Sequence, residues 1–116
     1  MQRETKKFLF DIQRACGLIL DFTEGEDFAD YEDDILLRSA VERQFEIIGE
    51  AINQLARIDP ETASRVNDYR QIVDFRNALI HGYGQVDNQA VWLIVKTQLP
   101  VLLEDIRKIL QENGDT

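Results

Sequence analysis

Residues 90–111 read AVWLIVKTQLPVLLEDIRKILQ. Within them Trp92, Val95, Leu99, Leu102, Ile106 and Ile109 recur at alternating intervals of three and four, the spacing that lines one face of an α-helix. Asp87 stands just ahead as a candidate N-cap. Pro100 falls inside the pattern, removes one backbone donor and is expected to bend the helix. The same periodicity recurs upstream. Phe8, Ile12, Ala15, Ile19 and Phe22 form a first stripe, and Leu37, Val41, Ile48, Ile52 and Leu55 a second, which Ala40, Ile47 and Ala51 widen. The second pattern stops at Asp59-Pro60, where aspartate can cap a short new helix and proline suits its first turn. Asn67 or Asp68 can head a third main helix carrying Ile72, Phe75 and Leu79, which meets Gly82 and Gly84. No window alternates with the period of a strand. The expected fold is all-α, an up-and-down bundle of four main helices plus a short one, in a single domain over residues 1–116. The stripes are wide for so small a bundle, which fits further burial between two copies in a homodimer.

Composition narrows the function classes. The chain has 116 residues, 44% hydrophobic and 30% charged, with one cysteine and one histidine. A disulfide framework is thereby excluded, and neither a zinc site within one chain nor any other metal or cofactor is expected. No apolar run approaches the roughly 18 residues of a membrane span, and MQRETKKFLF lacks the apolar stretch of a secretory signal. The expectation is a cytoplasmic protein without membrane association. No glycine-rich phosphate loop precedes a helix, so a nucleotide hydrolase is disfavoured.

The formal net charge of −9 is concentrated in one place. Residues 21–34, DFTEGEDFADYEDD, hold eight acids and no base, which leaves 14 acids against 13 bases in the rest of the chain. This segment is expected as an acidic, solvated loop, with docking of a basic partner as the sharper reading. A broad basic surface for DNA is not expected, but a local anion site is compatible with the charge.

The chemistry gathers at residues 76–83, Arg76-Asn77-Ala78-Leu79-Ile80-His81-Gly82-Tyr83, which contain the only histidine. Five residues of helix turn through about 500°, so Arg76 and His81 share a site only if the helix ends near His81 and the glycines turn the chain. Arginine presents fixed donors that match a phosphate. An imidazole, with a pKa of about 6.5, moves protons near neutrality. Cleavage of RNA through its 2′-hydroxyl needs a base, an acid and a positive clamp on the developing charge. Arg76 and His81 supply the clamp and one proton carrier. A second carrier would come from His81 of a symmetric partner, from Tyr83 or from the substrate. The spacing alone leaves a structural reading open, with His81 and Tyr83 satisfying a helix end and Arg76 paired to Asp74 or another acid.

The motif Arg76-x4-His81-x-Tyr83 resembles the R-x4-H-x-Y signature of HepT-like toxins of the HEPN superfamily. Asn77, the segment RSAVERQFEIIGEA at residues 38–51, Val91-Trp92 and Leu99-Pro100 follow that family's order and spacing. The resemblance covers roughly residues 5–110. It implies a HEPN-like helical homodimer whose two motifs face one cleft, and a metal-independent endoribonuclease that is the toxin of a type VII-like toxin–antitoxin pair. It implies Arg76 and His81 as catalytic residues and Asn77 as support. The implied partner is a minimal nucleotidyltransferase antitoxin that transfers AMP to Tyr83. The alternative is a non-catalytic module that binds a nucleotide or RNA and docks the nucleotidyltransferase. Three further residues have ordinary readings. Cys16 is expected as a buried hydrophobe and Trp92 as core. Gly49 marks close helix packing, with Glu50 an alternative partner for Arg76.

Overall fold

A computed structural model of the chain describes residues 1–66, 69–74 and 87–114, and every regular element among them is helical. Helices α1 (Arg3–Thr23), α2 (Phe28–Asp33), α3 (Ile35–Ile58), α4 (Pro60–Ala63), α5 (residues 69–74) and α6 (Asn88–Glu112) follow in that order. Among the described residues six helices stand where four main helices and a short one were expected, and the additional one is α2.

Helix α1 lies between the other two long helices and packs along both α3 and α6. Its buried face runs through Thr5, Leu9, Ile12, Ala15, Cys16, Ile19 and Thr23. The expected stripe was therefore right from Ile12 to Ile19 and wrong at its end, because Phe22 is exposed and Thr23 is buried in its place. A buried threonine is tolerable because its hydroxyl donates to the Ile19 carbonyl at 2.9 Å, which leaves no orphan donor. In α3, Val41, Ile48, Ile52 and Leu55 are buried as expected, Leu37 is half-buried, and Phe45 fills the gap in the stripe. On α6, Val95, Leu99, Leu102, Ile106 and Ile109 are buried and Trp92 is half-buried; Val91, Ile94, Leu103 and Leu110 widen the face. The helix runs without interruption through Pro100, which is exposed. The donor that proline lacks is thus lost on the solvent side, where water can serve the Lys96 carbonyl.

Aspartate side chains set the starts of four helices, α2, α3, α4 and α6. Asp34 accepts from the backbone of Leu36 and Leu37, both at 3.1 Å, and opens α3. Asp87 accepts from Gln89 N at 2.9 Å and opens α6. Asp59 does more. Its carboxylate accepts from Thr62 N (3.1 Å), Thr62 Oγ1 (2.8 Å) and the buried Thr5 Oγ1 (3.3 Å). It thereby caps α4, with Pro60 in the first turn, and ties the start of α1 to the end of α3. Those three donors hold its carboxyl below the usual aspartate range, the Thr62 hydroxyl foremost.

The acidic segment departs from expectation. Only residues 24–27 and Asp34 connect helices, with Gly25 at φ 77° making the first turn. Residues 28–33 form α2, whose start is a capping box: Asp27 accepts from Asp30 N at 2.9 Å and Asp30 accepts from Asp27 N at 3.0 Å. The helix forms because its apolar residues have somewhere to go. Phe28 packs against the core, and Tyr31 is fully buried with its ring 5.3 Å from that of Trp92 on α6. Helix α2 touches both α3 and α6 and so closes one end of the molecule.

Candidate functional site

Arg76, Asn77, His81 and Tyr83 lie outside the described residues, as do Asn67, Asp68, Phe75 and Leu79 of the expected third helix. The structure describes both flanks of the motif. Before it comes α5. Ile72 is buried at 1% exposure, and Tyr69 and Val73 pack half-buried against the same core. The 3-4 spacing of these three residues fixes which face of α5 is inward. After the motif, Asp87 caps α6, and Val91 anchors its first turn in the core.

Between α5 and the second half of α3 lies an open depression of about 320 Å³, lined by Asn53, Ala56, Tyr69, Arg70, Val73 and Asp74. It is the described surface next to the motif in sequence. Its polar groups are one amide, one phenol, one guanidinium and one carboxylate, and Arg70 lies 5.7 Å from the centre of the Tyr69 ring. A guanidinium, an amide and an aromatic ring are the groups that contact phosphates and bases in single-stranded RNA. Sequence reading did not single out Asn53 or Tyr69. The available signal was spacing: Gly49, Asn53 and Ala56 recur at four and three along α3, a stripe of small or polar side chains interleaved with the apolar one.

On the other side of α3, a groove of about 280 Å³ is lined by Lys7, Phe8, Asp11, Arg43, Glu46, Ile47, Glu50 and Ala51. Its bases already have partners, Lys7 with Asp11 and Arg43 with Glu46, each pair at 3.1 Å. Glu50 accepts from Gln54 Nε2 at 2.9 Å. Its expected alternative role toward Arg76 falls on a residue outside those described. Gly49 is buried.

Other candidates resolve into structural roles. Cys16 is fully buried, and that burial pushes its thiol up to about 12, although Arg107 pulls the other way; it is no thiolate nucleophile at neutral pH. Ser64 donates to the Glu61 carbonyl at 2.6 Å, as a helix-end residue does. Trp92 joins the core through Tyr31, with Lys96 Nζ lying 4.6 Å from the centre of its ring. Arg65 pairs with Glu112 at 2.6 Å, and Arg70, over the Tyr69 ring, is the guanidinium that lines the depression. Among the described residues no helix is long and apolar enough to cross a membrane.

Comparison with known proteins gives consistent matches over nearly the whole chain. A family model described as Ribonuclease HepT-like matches residues 12–109. A Thermococcus cleftensis protein named "Probable ribonuclease HepT" is 36% identical over 113 residues, covering 94% of this chain and 98% of its own length. "Putative RNase MJ1380" of Methanocaldococcus jannaschii is 32% identical over 105 residues, covering 90% of this chain and 95% of its own. A relative in Caldanaerobacter subterraneus, also named as an RNase, is 31% identical over 107 residues, with 92% and 95% covered. No solved structure gives a significant match.

Proposed function

Because this chain belongs to the ribonuclease HepT-like family, we propose that it is a metal-independent endoribonuclease in which Arg76 and His81 act on the scissile phosphate. The observation that carries the reading is that the family match, residues 12–109, encloses Arg76-x4-His81-x-Tyr83 in a helical chain whose approach to the motif is anchored by Ile72. The proton inventory determines the rest. A neutral imidazole of His81 takes the proton of the RNA 2′-hydroxyl, and that oxygen attacks the adjacent phosphorus. Charge accumulates on the non-bridging oxygens, where the Arg76 guanidinium offers two parallel donors. The bond to the 5′-oxygen breaks, and that oxygen must receive a proton from a second group. His81 of the partner subunit fills this role in a symmetric dimer. The products are a 2′,3′-cyclic phosphate and a 5′-hydroxyl, and no step calls for a metal ion. Asn77 supports Arg76 from the next position in the chain.

Control follows from Tyr83. A nucleotidyltransferase partner would join the Tyr83 phenolic oxygen to the α-phosphorus of ATP and release pyrophosphate. The attached AMP brings negative charge and bulk to the anion site, so RNA is excluded. On this reading the chain is the toxin and the nucleotidyltransferase its antitoxin. Two measurements test the proposal. End-group analysis of cleaved RNA, with a chelator present, should find cyclic phosphate ends; dependence on a divalent ion would refute the metal-free chemistry. Intact mass after co-expression with a nucleotidyltransferase should rise by about 329 Da per AMP and stay unchanged in Tyr83→Phe. The acidic charge favours one competing reading, a module that holds RNA or nucleotide without cutting it. Binding without cleavage by the unmodified protein would establish that reading instead.

A further inference from the structure

The geometry points to a docking groove, at the junction of α1, α2 and α3, for a lysine-bearing amphipathic helix of a protein partner. The inference uses none of the motif residues and stands apart from the ribonuclease reading. Its floor is apolar and open. Ile35 and Leu36 are 71% and 78% exposed, an unusual position for two large aliphatic side chains at the start of a long helix, and Phe22 is 37% exposed. A groove of about 330 Å³ is lined by Phe22, Leu36, Leu37 and Ala40, with Glu26 and Asp34 at its edge. Leu36 and Ala40 lie one helical turn apart and Leu37 beside them, so the floor is a strip along which another helix can lie.

The rim identifies the occupant. Residues 21–34 bring eight acids and no base to this corner, and Glu24, Glu26, Asp27, Asp33 and Asp34 are all exposed. The nearest base on α3, Arg38, is committed to the Glu32 carbonyl. The carboxyl of Glu26 is raised above the usual range, chiefly by its hydrogen bond to Asp30, then by desolvation, and further by the charges of Asp30, Asp34 and Asp27. An ammonium group placed there relieves that repulsion, whereas a phosphate adds to it, so RNA is excluded from this face. A second copy docked symmetrically would set eight acids against eight, so self-association here is opposed as well. What remains is a chain with leucine-like side chains on one face and lysines beside them.

The probe is a synthetic amphipathic helix of about 16 residues, leucines on one face and lysines on the other, titrated into the ¹⁵N-labelled chain. Its control carries glutamine for lysine. The expected result is amide shifts concentrated at Phe22, Glu26, Leu36, Leu37 and Ala40. Affinity should fall about tenfold or more with the glutamine peptide, at high salt, or in Leu36→Ser. Glu26→Gln, at an exposed connecting position, should weaken binding severalfold and serves as a second variant independent of α3. No binding, shifts centred elsewhere, or unchanged affinity in both variants would overturn the proposal. A changed self-association of the free chain in Leu36→Ser would overturn it too, by making the occupant a second copy.

Discussion

Tyr31 is fully buried, yet its phenolic oxygen has no hydrogen-bond partner among the described residues. Burial, with the Glu42 carboxylate adding to it, pushes the phenol well above its ordinary range, so the group stays protonated throughout the working pH range. An unpaired buried hydroxyl costs roughly 1–3 kcal/mol, while the ring itself contributes packing against Trp92. Tyr31→Phe is therefore expected to leave stability unchanged or raise it by up to about 1 kcal/mol in urea unfolding; a loss larger than that would mean the hydroxyl has a partner. At this scale the sequence was legible in part. Cys16 read correctly as a small core residue. Phe22 did not, because a 3-4 stripe passing Ile19 can continue at either 22 or 23, and hydrophobicity favours the wrong one. Threonine holds the buried place through its bond to the Ile19 carbonyl, a local compensation that a hydropathy pattern does not contain.

Elements were legible where their ends carry chemistry. Asp59-Pro60 and Asp87 announced the starts of α4 and α6, and both carboxylates make the expected cap bonds. Helix α2 was not anticipated, since three of its six residues are acids and it lies in a segment that reads as a solvated run; its capping box and the i, i+3 pair Phe28 and Tyr31 matter only once α3 and α6 supply a surface to cover. The Asp59 tie has a pH signature. Its carboxyl is held below the ordinary aspartate range, so its contribution is complete above the unfolded-state pKa and is lost as pH falls through the lowered folded value. Asp59→Asn should be less stable than the wild type at neutral pH, and the difference should shrink on acidification. A constant difference down to the acid limit would contradict the assignment. Helix α5 sets the approach to the motif through Ile72. Ile72→Ala should cost about 2–5 kcal/mol, if its site is as closed as its 1% exposure indicates, and lower cleavage along with it. A loss below about 1 kcal/mol would mean that α5 is not anchored by its core contact.

For the whole molecule, charge and stoichiometry dominate. The excess acidity sits at the α1–α2–α3 corner, and the residues beside the motif contribute Arg70 against Asp74. On the proposed reading RNA meets only a small local field there, and cleavage should weaken at high salt through loss of a few phosphate contacts. With a single histidine per chain, the proposed mechanism draws its second imidazole from a dimer. Sedimentation equilibrium should return twice the chain mass of 13.5 kDa at concentrations where the protein cuts RNA. A fully active monomer would move the second proton transfer to Tyr83 or the substrate. Fold class could be read from periodicity alone, because 3-4 spacing is a property of each helix. The depression between α3 and α5 could not, because it exists only where Asn53 and Tyr69, distant in sequence, are brought side by side. The measurement that bears most directly on the central claim is single-turnover cleavage of RNA by unmodified wild type and His81→Ala, in chelator, with helicity matched by circular dichroism. The account predicts cleavage by the wild type and a loss of about a hundredfold or more in the variant; equal cleavage by a folded His81→Ala protein would contradict it.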